Sequence, residues 1–260
     1  MTPQLTDRHA LALHRARATR DALFLHEAVV SEAQERLIEV NRTFNDAVVV
    51  TPFPELWPGF RTVPDAEVLD LTPESQDLVI HALCLHWADD PVGQIVQARR
   101  ALRPDGLFLC ATLGGQTLHE LRAVLAEAEA AVTGGLSPRV LPMGEIRDLG
   151  GLVQRAGLAL PVADSDTLTV RYRDALHLMG DLRAMGETSA LSERPRRFTR
   201  RAVLLEAAAR YQAAFADTEG RIPATFEIVW LTGWAPHESQ PQPLRPGSAT
   251  HRLADILPKH

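Results

Sequence analysis

The 260-residue chain is predicted to fold as a doubly wound α/β domain with a mostly parallel sheet, a shortened N-terminal half and a helical insertion. Three observations predict this. Short apolar runs bounded by turn residues recur at Ala47–Val50, Asp77–Leu85 and Gly106–Thr112. Their apolar character is continuous rather than alternating, the pattern of strands covered by helices on both faces. Between the second and third runs lie a capped helix and a Pro-Asp-Gly turn, which make the right-handed crossover of a parallel sheet.

The elements follow in order. Residues 7–40 read as one helix, because Leu11, Leu13, Ala18, Leu23, Ala28, Val29 and Leu37 recur at near-helical spacing with no breaker between them. Thr6 or Asp7 supplies its N-cap. Pro52 and Pro54 end the first strand. After the second, Asp90 caps a helix with Pro91 in its first turn, Ile95, Val96, Ala98 and Leu102 on its inner face, and Arg99, Arg100 and Arg103 at its C-terminal end. In the Pro104-Asp105-Gly106 turn, proline fixes φ and glycine is expected to take the positive φ. Gly114-Gly115 opens the next helix as a tight turn or an anion cradle. Thr117 and Glu120 stand at capping-box spacing, and Leu118, Leu121, Val124, Leu125 and Ala128 form its stripe. A helix over 144–156 follows, then a strand from Leu160 to Tyr172 broken at Asp164-Ser165-Asp166, helices near 174–185 and 200–216, and a late strand at Phe226–Thr232. Residues 1–45 thus form a helical N-terminal segment, and 46–235 the α/β domain with its insertion at about 173–218. Residues 236–260 form a proline-rich extended tail.

Composition excludes several functions. A net charge of −6 leaves no broad basic surface for general nucleic-acid or anionic-membrane binding. The only lysine is Lys259, so Schiff-base chemistry has no candidate within the fold. Cys84 and Cys110 fall in apolar runs and read as buried small hydrophobes, with no zinc or disulfide framework. No apolar run reaches membrane-span length, and the N-terminus lacks a secretory apolar stretch. The expected location is the bacterial cytoplasm, peripheral to the inner membrane only through a partner.

Three pieces carry a family resemblance: DLVIHALCLHW, then RRALRPDGLFLCATLGG, then DLGGLVQRAGLALPVADSD. In this order they resemble the S-adenosylmethionine-dependent class I methyltransferases, in the branch of the biotin-pathway malonyl-carrier and trans-aconitate enzymes. Leu102-Arg-Pro-Asp-Gly106 stands for that family's L-x-P-G-G turn, and Leu85-His86-Trp87 for its Trp-bearing segment. GGQTLHELRAVLAEAEAAVTGGLSPRV, DLRAMGETSAL, GRIPATFEI, GWAPHESQ and PLRPGSA are similar to the respiratory complex I assembly factor subfamily, known as an arginine hydroxylase on a methyltransferase fold. The resemblance covers about 70–260.

The chain departs from that family after its first strand. A D-x-G-x-G type loop would bring backbone close to the cofactor and aim a helix N-terminus at it. Here Val50-Thr51-Pro52-Phe53-Pro54 stands instead, and two prolines remove two N–H donors. Only 26 residues separate Val50 from Asp77, whereas a single βαβ unit takes roughly thirty. The second strand, whose acidic tip holds the ribose in such folds, is therefore expected to be absent.

The resemblance places Val50 and Thr51 at the cofactor turn and Asp65 and Glu67 near the adenine edge, the alternative for the last two being a solvated turn. His86 and Trp87 wall a ligand cleft or pack in the core. His81 reads as a satisfied core histidine. Arg194, Arg196, Arg197, Arg200 and Arg201 form a solvated loop or a dock for an acidic partner. His237 and Glu238 are adjacent and point apart, so no metal site is expected, and no catalytic residue is assignable. Three functions stay open. The first is a binding or assembly factor with a degenerate S-adenosylmethionine pocket, whose protein partner is a peripheral-arm subunit of complex I. The second is an active methyltransferase or arginine hydroxylase with an atypical loop, and the third an enzyme holding another small ligand. In the first, S-adenosylmethionine is weakly bound or lost.

Overall fold

Six strands, Ala47–Val50 (β1), Arg61–Val63 (β2), Gln76–Ala82 (β3), Leu102–Leu113 (β4), Ala159–Tyr172 (β5) and Ile222–Trp234 (β6), form one sheet in the order β2-β1-β3-β4-β6-β5. The computed structural model describes residues 4–241. Pairing is parallel from β2 to β4, and β6 runs antiparallel between β4 and β5. The helices are Arg8–Arg15 (α1), Phe24–Glu39 (α2), Pro91–Ala101 (α3), His119–Thr133 (α4), Ile146–Arg155 (α5), Ala175–Ala184 (α6) and Arg201–Phe215 (α7). The predicted α/β class, mostly parallel sheet and late helical pair are all present.

Alternate strand residues feed two cores, as period-two geometry requires. Val49, Leu78, Ile80, Leu107 and Leu109 face α2, α4, α6 and α7. Val48, Val50, Val79, Phe108 and Cys110 face α3 and α5. Asp90 caps α3 by accepting from the Gly93 N–H at 2.8 Å, with Pro91 in the first turn, as its sequence predicts.

The structure corrects several expectations. The helix expected over 7–40 is two helices, because the Thr19 N–H leaves the helical ladder to donate to the Ala184 carbonyl at 2.9 Å. The second strand is present: β2 pairs with β1 from Val48–Arg61 to Val50–Val63. It has three residues and one buried side chain, too little for an apolar run to betray it. β5 continues through Asp164–Asp166, where Arg36 bonds both oxygens of Asp164 at 2.9 and 2.5 Å and stacks over Trp230. The expected Pro104-Asp105-Gly106 turn lies within β4, and the positive φ there belongs to Asp105 (+61°), not to Gly106; aspartate visits this region through local hydrogen bonding. The capping box does not form. Thr117 bonds the Glu227 backbone, and Glu120 accepts from the Thr225 hydroxyl at 2.5 Å. The motif PLRPGSA and Lys259 lie outside the described residues.

The segment after α6 is laced to the N-terminal segment. Thr6 bridges Leu191, the Asp7 N–H donates to the Ala190 carbonyl at 2.7 Å, and the Ser192 N–H donates to that of Leu5 at 2.8 Å. Gly186 begins this strap at φ +85°, where a Cβ would sit 3.1 Å from Arg15 Cα. Only glycine meets both conditions without strain. Leu11 of α1 and Ala190 of the strap pack with Trp87, which follows β3.

Candidate functional site

Open α/β sheets bind ligands beyond the carboxyl ends of their strands, where successive connections leave in opposite directions. Here that point lies between β1 and β3, because the chain passes from β1 to β2 on one side and returns to β3 on the other. What fills it is protein. The Thr51 N–H donates to the Val63 carbonyl at 3.0 Å, and the Phe53 N–H donates to Thr51 Oγ1 at 3.1 Å. Val50 and Thr51 are buried, and Phe53, Leu56 and Trp57 plug the space beyond them in the core. Phe53 meets the His26 ring edge-on, with centroids 4.7 Å apart.

Asp65, two residues past β2, occupies the tip where an acidic ribose ligand stands in such folds. Its carboxylate accepts from Arg15 Nη1 at 2.8 Å through both oxygens and from Arg8 Nη1 at 3.3 Å. Side-chain exposure is 12% for Asp65 and 10% for Arg15, so the pair is largely dry. Glu67 parts from it. Its side chain is exposed and lines a polar groove of about 630 Å³ with Arg8, Asp89 and Gln94. The sequence pairs Asp65 with Glu67, and the structure separates them.

His86 and Trp87 lie in a 3₁₀ turn after β3, with Trp87 buried and the His86 side chain 2% exposed. Both face Glu187 on the strap. The Trp87 indole N–H donates to Glu187 Oε2 at 2.7 Å, and His86 Nε2 lies 3.4 Å from the same oxygen. Burial pushes the Glu187 carboxyl up, but the His86 contact and then the Arg15 guanidinium reverse this and hold it at about 2. Burial lowers His26 and His81 to about 4. His81 is satisfied by Gln94 Oε1 at 3.3 Å and Cys84 Sγ at 3.4 Å, as read from sequence.

Nine buried side-chain polar atoms among the described residues lack a partner, and all but Arg122 Nε belong to this cluster: on Arg8, Arg15, His26, His86, Glu187, Thr188 and Ser189. Native interiors leave few such atoms, so their concentration marks where a further polar group fits. Glu187, Thr188 and Ser189 also line a cavity of about 400 Å³ whose walls include Leu121, Leu125, Met143, Met179 and Phe226. Arg139 and Arg194 are on its lining as well. Arg139 holds the Glu129 carboxylate at 2.6 Å, which lowers its pKa to about 2.

The Gly114-Gly115 turn cradles an anion that the chain itself supplies: Glu227 Oε2 accepts from the Gln116 N–H at 2.9 Å. His237 bonds Ser239 and lies apart from this site. No three His, Cys, Asp or Glu side chains among the described residues are placed to hold a metal ion, and no described helix is long and apolar enough to cross a membrane. Arg8, Arg15 and His26 escaped sequence reading because their partners lie far along the chain. Glu187 sits within a family motif, DLRAMGETSAL, and that was its one signal.

Comparison with known proteins fits this geometry. A family model described as a methyltransferase domain matches residues 13–110. Arginine-hydroxylase NDUFAF5, mitochondrial, of Danio rerio is 38% identical over 192 residues, which cover 74% of this chain and 60% of that protein. Its Homo sapiens counterpart is 39% identical over 199 residues, covering 76% and 57%. These matches support the S-adenosylmethionine-dependent methyltransferase superfamily, with the chain NDUFAF5-like. The malonyl-[acyl-carrier protein] O-methyltransferase of Xylella fastidiosa (strain M23) is 35% identical over 172 residues, or 66% of this chain and 56% of that one. A crystal structure from Bacillus halodurans C-125, titled as a methyltransferase, superposes with a TM-score of 0.50 at 14% identity, covering 78% and 98%, and shows the shared fold. The chain spans about 60% or less of the curated relatives it matches.

S-adenosylmethionine, which this superfamily implies, does not fit the residues present. Neither the Thr51 nor the Phe53 N–H is free, prolines occupy both neighbouring positions, and the carboxylate at the tip of β2 is taken by two arginines.

Two outcomes follow. Asp65→Asn strands a buried guanidinium and is expected to lower the unfolding free energy by about 3 kcal/mol, read by urea titration. The charge-free pair Asp65→Leu with Arg15→Met should cost less than Asp65→Asn alone, and an Asp65→Asn loss well under ~1 kcal/mol would show the pair to be solvated. His26 and His81 titrate lower in the folded state than in the unfolded chain, so the unfolded state binds more protons between their folded and unfolded values. Stability is therefore full above the ordinary histidine value of 6.5 and falls as pH drops toward about 4. A stability profile flat across that window would contradict the burial of both rings.

Proposed function

We propose that this protein recognises an arginine side chain of a protein partner in the 400 Å³ cavity, with its cofactor groove closed by its own N-terminal segment. The observation that carries the reading is Glu187. Its carboxylate is 92% buried by side-chain area, being 8% exposed, is held ionised, and keeps one buried oxygen without a partner in a residue that lines a largely apolar cavity. An aliphatic stem suits leucine and methionine walls, and a guanidinium suits an ionised carboxylate. The unpaired hydroxyls of Thr188 and Ser189 offer acceptors for the remaining N–H groups.

Relatives named arginine-hydroxylase support arginine as the class of side chain bound. Resemblance of the C-terminal motifs supports a peripheral-arm subunit of respiratory complex I as the partner, met on the cytoplasmic side of the inner membrane. The occupied turn at Thr51 and the Arg8–Asp65–Arg15 contact support a degenerate S-adenosylmethionine pocket.

The test is fluorescence anisotropy with a peptide carrying one arginine, against the same peptide carrying citrulline, which keeps the shape and loses the charge. The arginine peptide should bind more tightly, and Glu187→Gln should cost at least ~2 kcal/mol, or roughly thirtyfold. Met179→Trp, which fills the cavity without touching Glu187, should weaken binding as well. Equal affinity for the two peptides would refute the reading.

A further inference from the structure

The loop from Glu193 to Arg201 gathers Arg194, Arg196, Arg197, Arg200 and Arg201 around one phenylalanine, in a chain of net charge −6. Phe198 is fully exposed, at 103%. Arg197, Arg200 and Arg201 are exposed, and none makes a salt bridge among the described residues. Arg196 reaches Asp7 only at 3.5 Å with 70% of its side chain exposed. Arg194 is the anchor: it bonds the Asp7 carboxylate at 2.9 Å and the Leu191 carbonyl at 2.8 Å, which ties the loop to the strap. Arginines in water need no partner, but a phenylalanine held wholly in water does not lower the free energy of the isolated chain. Aromatic and arginine side chains together are the composition of interface anchors.

The loop is also continuous with the cavity. Arg194, Pro195 and Thr199 line it, and Arg139 donates to Thr199 Oγ1 at 2.8 Å. A chain that inserts a side chain here must lie across this loop.

We propose that the 193–201 loop docks an acidic face of the protein partner, with Phe198 entering an apolar recess in that face and the arginines pairing with its carboxylates. This rests on the arginine-seating reading for what then enters the cavity. Charge complementarity selects the partner's sign, and guanidinium forks favour carboxylates held in fixed geometry. The acidic remainder of the chain repels the same face elsewhere, which adds register to attraction. A protein face rather than a lipid surface follows from the cavity, because only a partner with a chain to insert uses both features at once.

The probes are synthetic peptides with one central arginine flanked by glutamates or by glutamines, titrated by anisotropy against the full chain. The glutamate-flanked peptide should bind roughly tenfold more tightly at low salt, and the advantage should shrink at high salt. It should vanish in the variant Arg197→Glu, Phe198→Ala, Arg201→Glu, which leaves the glutamine-flanked peptide's affinity unchanged. All three positions are exposed, and a glutamate in the first turn of α7 suits the helix dipole, so the variant should fold. Equal affinities for the two peptides, or an advantage that the loop variant keeps, would overturn the dock. Citrulline at the centre separates the two readings: a glutamate-flanked citrulline peptide that binds as well as its arginine counterpart, yet still loses affinity in the loop variant, refutes the arginine seat and leaves the dock standing. No binding by either peptide overturns both. Capture on phosphatidylglycerol vesicles that the loop variant abolishes, with no preference between peptides, would assign the loop to a lipid surface and overturn the dock.

Discussion

The ion pair between Arg15 and Asp65 organises the carboxyl end of this sheet. Both Arg15–carboxylate contacts are 2.8 Å, and both side chains are nearly dry. A buried pair of this kind is poor evidence of net stability, because desolvation offsets much of the attraction. Its importance is positional. It pins α1 across the tip of β2, and α1 in turn carries Leu11 onto Trp87 and the N-terminal segment onto the strap. Once α1 lies there, the groove that would receive a nucleoside is occupied by side chains of the same polypeptide.

Much of the fold was legible because it follows from local rules. Continuous apolar runs gave β1, β3 and β4, and Asp90-Pro91 gave the start of α3. In the proline-bearing turn after β1, the Thr51 N–H bonds the Val63 carbonyl and the Phe53 N–H bonds Thr51 Oγ1. The features that escaped depend on distance along the chain. A strand as short as β2 has no periodicity, and its existence rests on pairing with β1. Thr117 and Glu120 have the spacing of a capping box, yet β6 offers them better partners in Thr225 and Glu227. Asp65 was read as an edge contact or a solvated turn, because no local rule reveals that Arg15, fifty residues earlier, folds onto it. Glu187 was visible only as a polar residue inside a motif, since its burial depends on the strap.

The strap connects the closed groove to the open cavity. Glu187 contacts Trp87 and His86 and is among the residues that line the cavity. The His86 contact and then the charge of Arg15 keep Glu187 ionised, so the arginine that pairs with Asp65 also acts on the strap carboxylate. The helices α6 and α7 complete the cavity walls, which places the insertion beside the site rather than at the periphery. In the proposed reading the methyltransferase framework serves as a scaffold, and recognition takes place in the cavity lined by α6 and α7.

Isothermal titration of the purified chain with S-adenosylmethionine tests this exchange of roles most directly. A sealed groove predicts no saturable heat for the unaltered chain at millimolar ligand. Micromolar binding to the unaltered chain at one molecule per chain would contradict it, because the metabolite would then have to displace the arginines from Asp65.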